Sequence, residues 1–440
     1  MDLLKDNIRQ VFFRYLAASF GGALIFSVYS LVDVAMVGQY CGPDGVAALA
    51  TVTPVWNTII SLGLLFGIGG AVLMSMARGQ GKMRKGEQWY TTALIGAGAA
   101  TVISWAIIFL FSEQLLRLFG ADDMLLPLAM DYLQWIRIVV PFFVLGQFFA
   151  AFLRNDNAPL KATIAVVSGG VFNIVGDYVF VFVFDMGISG AGLATAIGQT
   201  ITFCILLTHL FTKKNGLHLH KMVGLARAEG RVMVTGFPSF LNDFSVGIMT
   251  MLINNQAMKY GGSDVLAVYG VMVNIQLFAQ SCAYGVGQAA QPLLSTNFGA
   301  GKKDRLSQTL RLGLGTAFVL TAFWVMITQV FPIPILRIFM VPTASVLCIA
   351  PQQMRTFFLC MIFLTFNVFS TYYFQSVLQP RISFVISVMR GLVLSGIFVM
   401  VFPALFGADA LWLAVPMSEA VVAIGAIFFM KRGSLAKQLQ

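Results

Sequence analysis

Long apolar runs follow one another along almost the whole chain. A membrane-spanning helix needs about 20 mostly apolar residues, and twelve runs reach this length. They cover residues 12–38, 45–77, 88–111, 127–152, 159–184, 188–211, 231–258, 265–297, 308–331, 350–376, 382–405 and 408–430. Several contain glycine or polar residues, which a helix tolerates inside a bundle but not against lipid. The pattern predicts an all-α membrane protein with 12 transmembrane helices.

Composition supports a lipid environment and argues against nucleic acid as a partner. Hydrophobic residues make up 58% of the 440 residues and charged residues only 10%, whereas soluble domains carry about 25% charged residues. The net charge of +10 comes from basic residues in short connections between apolar runs, so it reports topology rather than a nucleic-acid surface. The five cysteines and three histidines show no zinc-binding spacing, so we expect structural thiols and no metal cluster.

The distribution of Lys and Arg predicts the orientation in the membrane. Of the 28 basic residues, 23 fall on the side of the two termini and the even-numbered connections. The other side holds five, namely Arg117, Arg137, Lys259, Arg337 and Arg355. Because basic connections stay in the cytoplasm, we expect a multi-pass protein with both termini cytoplasmic.

The two halves of the chain repeat each other. A shift of 220 residues aligns Gly42–Gln88 with Gly262–Gln308 without a gap, and 11 of 47 positions are identical. We therefore predict an N-lobe (1–212, helices 1–6), a basic cytoplasmic linker (213–230) and a C-lobe (231–440, helices 7–12). Because each lobe has six helices, both lobes have the same orientation in the membrane. We therefore expect pseudo-symmetric lobes related by an axis along the membrane normal, with a cavity between them.

Acidic residues inside the apolar runs are candidates for function, because a charge at the centre of a membrane helix costs about 2.5–3.5 kcal/mol on insertion scales. Asp33 lies in the first run, and Asn173 and Asp177 lie four residues apart on one face of the fifth. Their oxygens, with a hydroxyl from Thr195, suit a hard cation, and two adjacent carboxylates favour binding of a proton. The spacing does not show that Asp33 meets the pair, and each carboxylate could instead be hydrogen-bonded in a helix interface.

Several segments resemble the multidrug and toxic compound extrusion (MATE) family, in its bacterial multidrug-exporter branch. They are LVDVAMVG (31–38), the loop RNDNAP (154–159), FNIVGDYVFV (172–181), GISGAGLATAIGQ (187–199) and GAGKKDR (299–305). The resemblance extends over essentially the whole chain, and its specificity comes from the order of the motifs, the twelve runs and the repeat.

The resemblance implies a cation-coupled exporter of bulky, often cationic and aromatic compounds. It implies an N-lobe site for Na⁺ or H⁺ made by Asp33, Asn173, Asp177 and Thr195, which would be metal ligands only with Na⁺. It also implies a monomer in the bacterial inner membrane with no cofactor besides the coupling ion. This sequence departs from some relatives at two points. The first run contains no proline, so we do not expect a proline-driven bend there. The tenth run contains no carboxylate, so we expect no coupling through the second half.

Polar residues concentrate in the seventh and eighth runs, where a lipid-facing helix could not carry them. We expect a water-filled substrate cavity there, with five candidate lining residues: Asn242, Asp243, Asn274, Gln276 and Gln280. Some of the 40 Phe and 22 Met would add an adaptable apolar wall that attracts organic cations.

These observations predict antiport by alternating access. The alternative within transporters is a flippase for a lipid-linked saccharide precursor, which would need a cationic groove, whereas Lys and Arg are rare inside the runs. A membrane-embedded enzyme would need a nucleophile–base pair or a metal cluster within the runs, and we expect none. A purely structural protein leaves the intramembrane Asp pair unexplained.

Overall fold

The computed structural model describes residues 2–221, 224–339 and 342–432, and these residues form helices without any strand. The fourteen helices are α1 Ile8–Gly42, α2 Asp44–Gly79, α3 Met83–Leu110, α4 Ser112–Leu118, α5 Leu125–Asn155, α6 Pro159–Val183, α7 Gly187–Leu207, α8 225–262, α9 Asp264–Gly299, α10 Lys303–Val330, α11 Pro332–Phe339, α12 Ala344–Ser376, α13 Pro380–Phe406 and α14 Ala408–Lys431. A helix occupies each of the twelve predicted runs, which confirms the all-α fold with two six-helix lobes. The lobe boundaries at 212 and 231 stay a prediction, and part of the predicted linker (222–223) and of the C-lobe (340–341, 433–440) lies outside the described residues.

Helix α8 differs from the other long helices in its polarity. Eleven helices in the described ranges are long and apolar enough to cross a membrane, and α8 is not among them. Its sequence includes Asn242, Asp243 and the run Asn254–Gln256, which lower its mean hydropathy. It packs between the lobes instead of facing lipid alone, since Gly236 of α8 lies so close to Leu65 of α2 that a methyl group at Gly236 would be 1.8 Å from the Leu65 carbonyl oxygen.

The backbone repeats the internal symmetry of the sequence. Helices α1 and α2 are separated at Gly42 (φ 67°, ψ −158°), and α8 and α9 are separated at Gly262 (φ 71°, ψ −161°). These two glycines are equivalent at the 220-residue shift. Only glycine adopts this conformation without strain. The same residue type thus makes the same tight reversal between the first two helices of each lobe.

Two short helices, α4 and α11, were not predicted. They contain most of LLRLF (115–119) and ILRIF (335–339), which match each other at the 220-residue shift. Each follows a long helix directly, after Leu110 and Val330 respectively. At seven and eight residues they are too short to span a bilayer, so they serve as connections.

The lobes are also in close contact at the N-terminal face, meaning the end of the bundle at which α1 begins. There α2 and α9 cross with glycines in contact: a methyl group at Gly79 would lie 2.0 Å from the Thr296 carbonyl oxygen, and one at Gly299 would lie 2.1 Å from that of Met76. The two contacts are symmetric equivalents. Side chains larger than hydrogen at these positions would force the helices apart.

Candidate functional site

The four residues of the predicted cation site come together inside the N-lobe. Asp33 of α1, Asn173 and Asp177 of α6 and Thr195 of α7 are all at most 8% exposed. Asn173 Nδ2 donates to Thr195 Oγ1 at 3.0 Å and to Asp177 Oδ1 at 3.4 Å. The pair on α6 therefore shares one face, as its four-residue spacing predicts, and Thr195 joins it from the neighbouring helix.

Asp33 joins this group through a residue that the sequence does not single out. The hydroxyl of Tyr132, on α5, donates to Asp33 Oδ2 at 2.9 Å and lies 3.5 Å from Thr195 Oγ1. One hydrogen-bonded network thus connects α1, α5, α6 and α7. Nothing in the local pattern around Tyr132 distinguishes it from other tyrosines in apolar runs, so only the packing of α5 against α1 reveals its role.

Three buried oxygens of this network have no hydrogen-bond partner among the residues that the structure describes. They are Asp33 Oδ1, Asn173 Oδ1 and Asp177 Oδ2. A buried polar atom without a partner costs about 1–3 kcal/mol, and native proteins satisfy the great majority of such atoms. Two carboxylate oxygens and an amide oxygen in one network are the ligand types of a hard cation, and either carboxylate could hold a proton instead.

Glycines and a local widening of α6 position these groups. A methyl group at Gly176 would lie 3.0 Å from Ala194 Cβ, and one at Gly198 would lie 2.7 Å from the Gly169 carbonyl oxygen. This close packing of α6 on α7 brings Thr195 within reach of Asn173. Directly after Asp177 the helix widens into a π-helical turn over Tyr178–Val183, a feature that is frequent at functional sites.

The acidic and basic residues of the C-lobe form a different arrangement. Arg390 Nε donates to Glu419 Oε1 at 2.6 Å, and Asn367 Nδ2 donates to Glu419 Oε2, also at 2.6 Å. Arg390 Nη1 lies 3.4 Å from Asn242 Oδ1. Glu419, which the sequence leaves unassigned, is therefore one half of a buried ion pair between α13 and α14.

The predicted cavity residues do not form one group. Asn242, Gln276 and Gln280 line a common cleft in the C-lobe together with Arg390 and Glu419. Asp243 lies beside this cleft and accepts a hydrogen bond from the Tyr284 hydroxyl at 3.4 Å. Asn274 donates to the Gly270 carbonyl of its own helix at 2.7 Å and is not among the residues that line the cleft.

Asp156, in the predicted motif loop between α5 and α6, ties three segments together. Its carboxylate pairs with Arg78 Nη1 at 2.6 Å and His209 Nε2 at 2.8 Å, and it accepts from the Gly216 amide at 2.9 Å. Burial disfavours its charged form, but the hydrogen bond with His209, the charge of Arg78 and the Gly216 amide outweigh that effect and lower the pKa of Asp156. The loop thus anchors the start of the predicted linker to the N-lobe.

Comparison with known proteins identifies the family. The model of the MatE family matches residues 18–179 and 238–401, which together make up most of the chain. The chain belongs to the MatE family. It is therefore a multi-pass membrane protein of a transporter family, as the sequence motifs predict.

The chain is similar to multidrug export proteins over two thirds or more of its length. The chain is 22% identical over 413 residues to the multidrug export protein MepA of Staphylococcus saprophyticus, covering 93% of this chain and 90% of the relative. It is 24% identical over 303 residues to MepA of Staphylococcus aureus strain NCTC 8325, covering 68% and 67%. A solved structure described as the outward-facing conformation of a multidrug resistance MATE transporter superposes with a TM-score of 0.91 at 21% identity, covering 99% of this chain and 98% of that one.

Proposed function

We propose that the protein exports bulky organic compounds, often cationic and aromatic, in exchange for Na⁺ or H⁺. The observation that carries the proposal is the buried network with three unpartnered oxygens, on Asp33, Asn173 and Asp177. A cation or a proton bound to this network would supply the missing partner of these buried oxygens. The names of the MepA relatives support export of multiple drugs as the transport reaction.

From the positions of these groups we infer that the cation controls the distance between α1 and α6. Asp33 is on α1, whereas Asn173 and Asp177 are on α6, and within the described chain the hydrogen-bonded link from Asp33 to the others passes through the Tyr132 hydroxyl. A bound cation would join α1 to α6 directly. Its release would leave two carboxylates in one buried network, and their repulsion favours separation of α1 and rearrangement of the lobe.

Alternating access follows if the two lobes exchange their contacts. In this structure the lobes are in contact at the N-terminal face through Gly79 and Gly299. We assign this face to the cytoplasm of a bacterial inner membrane from the distribution of Lys and Arg. Cation binding from outside would then accompany release of the exported compound, and cation release inside would accompany its uptake.

The experiment is dye efflux from proteoliposomes driven by a sodium gradient alone and then by a pH gradient alone. We expect one gradient to drive efflux in the wild type and Asp177→Asn to abolish it. Asp131→Asn is the matched control, because Asp131 is an exposed acid on α5 directly before Tyr132. The proposal fails if neither gradient drives efflux, and the site assignment fails if Asp177→Asn exports at the wild-type rate.

A further inference from the structure

The C-lobe contains a cleft at the position that is equivalent to the cation site of the N-lobe. At the 220-residue shift, Asp33 corresponds to Ile253 and Thr195 to Val415, and both Ile253 and Val415 line the cleft. Apolar side chains thus replace two of the cation ligands. The duplicated position therefore lacks two of the cation-binding groups and contains an open cleft.

A fixed guanidinium group lies in the wall of this cleft. When α13 and α6 are aligned at their first residues, Pro380 and Pro159, Arg390 corresponds to Gly169, which packs so tightly against α7 that a methyl group there would overlap the Thr202 hydroxyl. The N-lobe therefore has no room for a side chain at this position, whereas the C-lobe places an arginine there. Its side chain is only 8% exposed and is held by Glu419 at 2.6 Å.

The groups around Arg390 leave hydrogen-bond donors in excess. Both carboxylate oxygens of Glu419 are already bonded, one to Arg390 and one to Asn367. A guanidinium has five N–H donors, and its hydrogen bonds to side chains in the described ranges, with Glu419 and Asn242, occupy only Nε and Nη1. Because the Asn242 oxygen accepts from Arg390, the amide nitrogen of Asn242 also remains as a donor.

The rest of the lining combines apolar side chains with hydroxyl and amide groups, the latter on Ser245, Thr250, Gln276, Gln280 and Ser395. Met249, Ile253, Tyr269, Val273 and Leu277 contribute side chains to the same cleft. A ligand that fits these surfaces has an apolar or aromatic body, which buries against Met and Tyr, and an anionic group with paired acceptors, which a fixed arginine binds best.

We propose that this C-lobe cleft binds the carboxylate end of an exported aromatic compound. The inference rests on the proposed export of organic compounds and names the class of substrate that the C-lobe recognises. Asp243 is the other carboxylate near the cleft, but it accepts from Tyr284 and is not among the cleft-lining residues. A ligand carboxylate would accept from the Arg390 N–H groups that Glu419 and Asn242 do not occupy.

The test uses the purified wild-type protein and three fluorescent probes: pyrenebutyric acid, its methyl ester and pyrenebutylamine. These share one aromatic body and differ only in the end group. We expect the acid to bind about tenfold more tightly than the ester or the amine, because only its carboxylate can form charge-assisted hydrogen bonds with Arg390. Equal binding of the three probes, or tighter binding of the amine, would overturn the proposal.

Two variants locate the site. The double variant Arg390→Gln/Glu419→Gln replaces the ion pair by two neutral amides of similar size, so we expect the acid to lose its advantage while the ester binds as before. Ile253→Trp fills the cleft and should weaken binding of the acid in a protein whose ion pair is intact. Retention of the wild-type preference for the acid in both variants would contradict the assignment.

Failure of this inference is distinguishable from failure of the proposed antiport. Binding is measured in detergent without any ion gradient, so it does not depend on coupling. Asp177→Asn should lose efflux but keep the preference for the acid. A protein that couples efflux to a cation but binds the three probes equally would refute only the C-lobe site.

Discussion

The ion pair between Arg390 and Glu419 allows a quantitative prediction about stability. The side chains are 8% and 4% exposed, and Nε lies 2.6 Å from Oε1. Replacing Arg390 by Gln leaves a buried carboxylate without its counter-charge, and breaking such a pair costs about 3–5 kcal/mol. Among the described residues, the Glu419 carboxylate then keeps the hydrogen bond from Asn367 alone, which cannot neutralise the charge. We therefore expect Arg390→Gln to destabilise the protein severely.

The assay is thermal unfolding in detergent, followed by the loss of monodisperse protein on size exclusion. The double variant Arg390→Gln/Glu419→Gln should recover most of the lost stability, because replacing both charges of a buried pair is often close to neutral. Arg117→Gln is the control, since Arg117 pairs with Glu113 at the surface, where the side chains are 45% and 55% exposed, and should leave unfolding unchanged. A double variant no more stable than Arg390→Gln alone would refute the reasoning.

Three further predictions concern other parts of the molecule. Tyr132→Phe removes the hydroxyl that donates to Asp33 Oδ2. Because a hydrogen bond contributes about 1 kcal/mol, the half-saturating cation concentration for efflux should change by about fivefold. An unchanged concentration would contradict a role of Tyr132 in the cation site. The partners of Asp156 lower its pKa, so the stability that they give the folded protein is present above the ordinary carboxyl pKa of about 3.9 and is lost as the pH falls through the lowered pKa. The unfolding temperature of Asp156→Asn should therefore fall less on acidification than that of the wild type. An equal fall in both proteins would contradict this role of Asp156. Gly79→Ala places a methyl group against the Thr296 carbonyl. In a background without native cysteines, Ser295→Cys should therefore react faster with an impermeant maleimide. Gly98→Ala should not change the rate, because among the described residues beyond its own helix backbone no atom lies within 4 Å of the added methyl group.

The fold was predictable because each membrane helix is a local feature of the sequence. About 20 apolar residues are needed to cross the bilayer, and this requirement alone located the helices in both lobes. The ends were less certain, since α8 extends to 225 and α12 to Ala344, beyond the apolar runs at 231 and 350. The short helices α4 and α11 were not predicted, because segments of their length are common as connections between longer helices.

The candidate site was predictable only where its residues share one helix. The spacing of Asn173 and Asp177 indicates a common face directly, whereas the approach of Asp33 depends on how α1 packs. Tyr132 lies 99 residues from its partner Asp33, and Arg390 lies 29 residues from Glu419. No sequence periodicity reports contacts of that kind, so the network around Tyr132 and the pairing of Arg390 emerged only from the three-dimensional structure.

The central claim is that the N-lobe network couples export to a cation. The most direct measurement records dye efflux and the opposing flux of ²²Na⁺ or H⁺ in the same proteoliposomes. We expect the wild type and Asp131→Asn to move the dye and one of the two cations in opposite directions, and Asp177→Asn to move neither. Coupled counterflow at the wild-type rate in Asp177→Asn would contradict it.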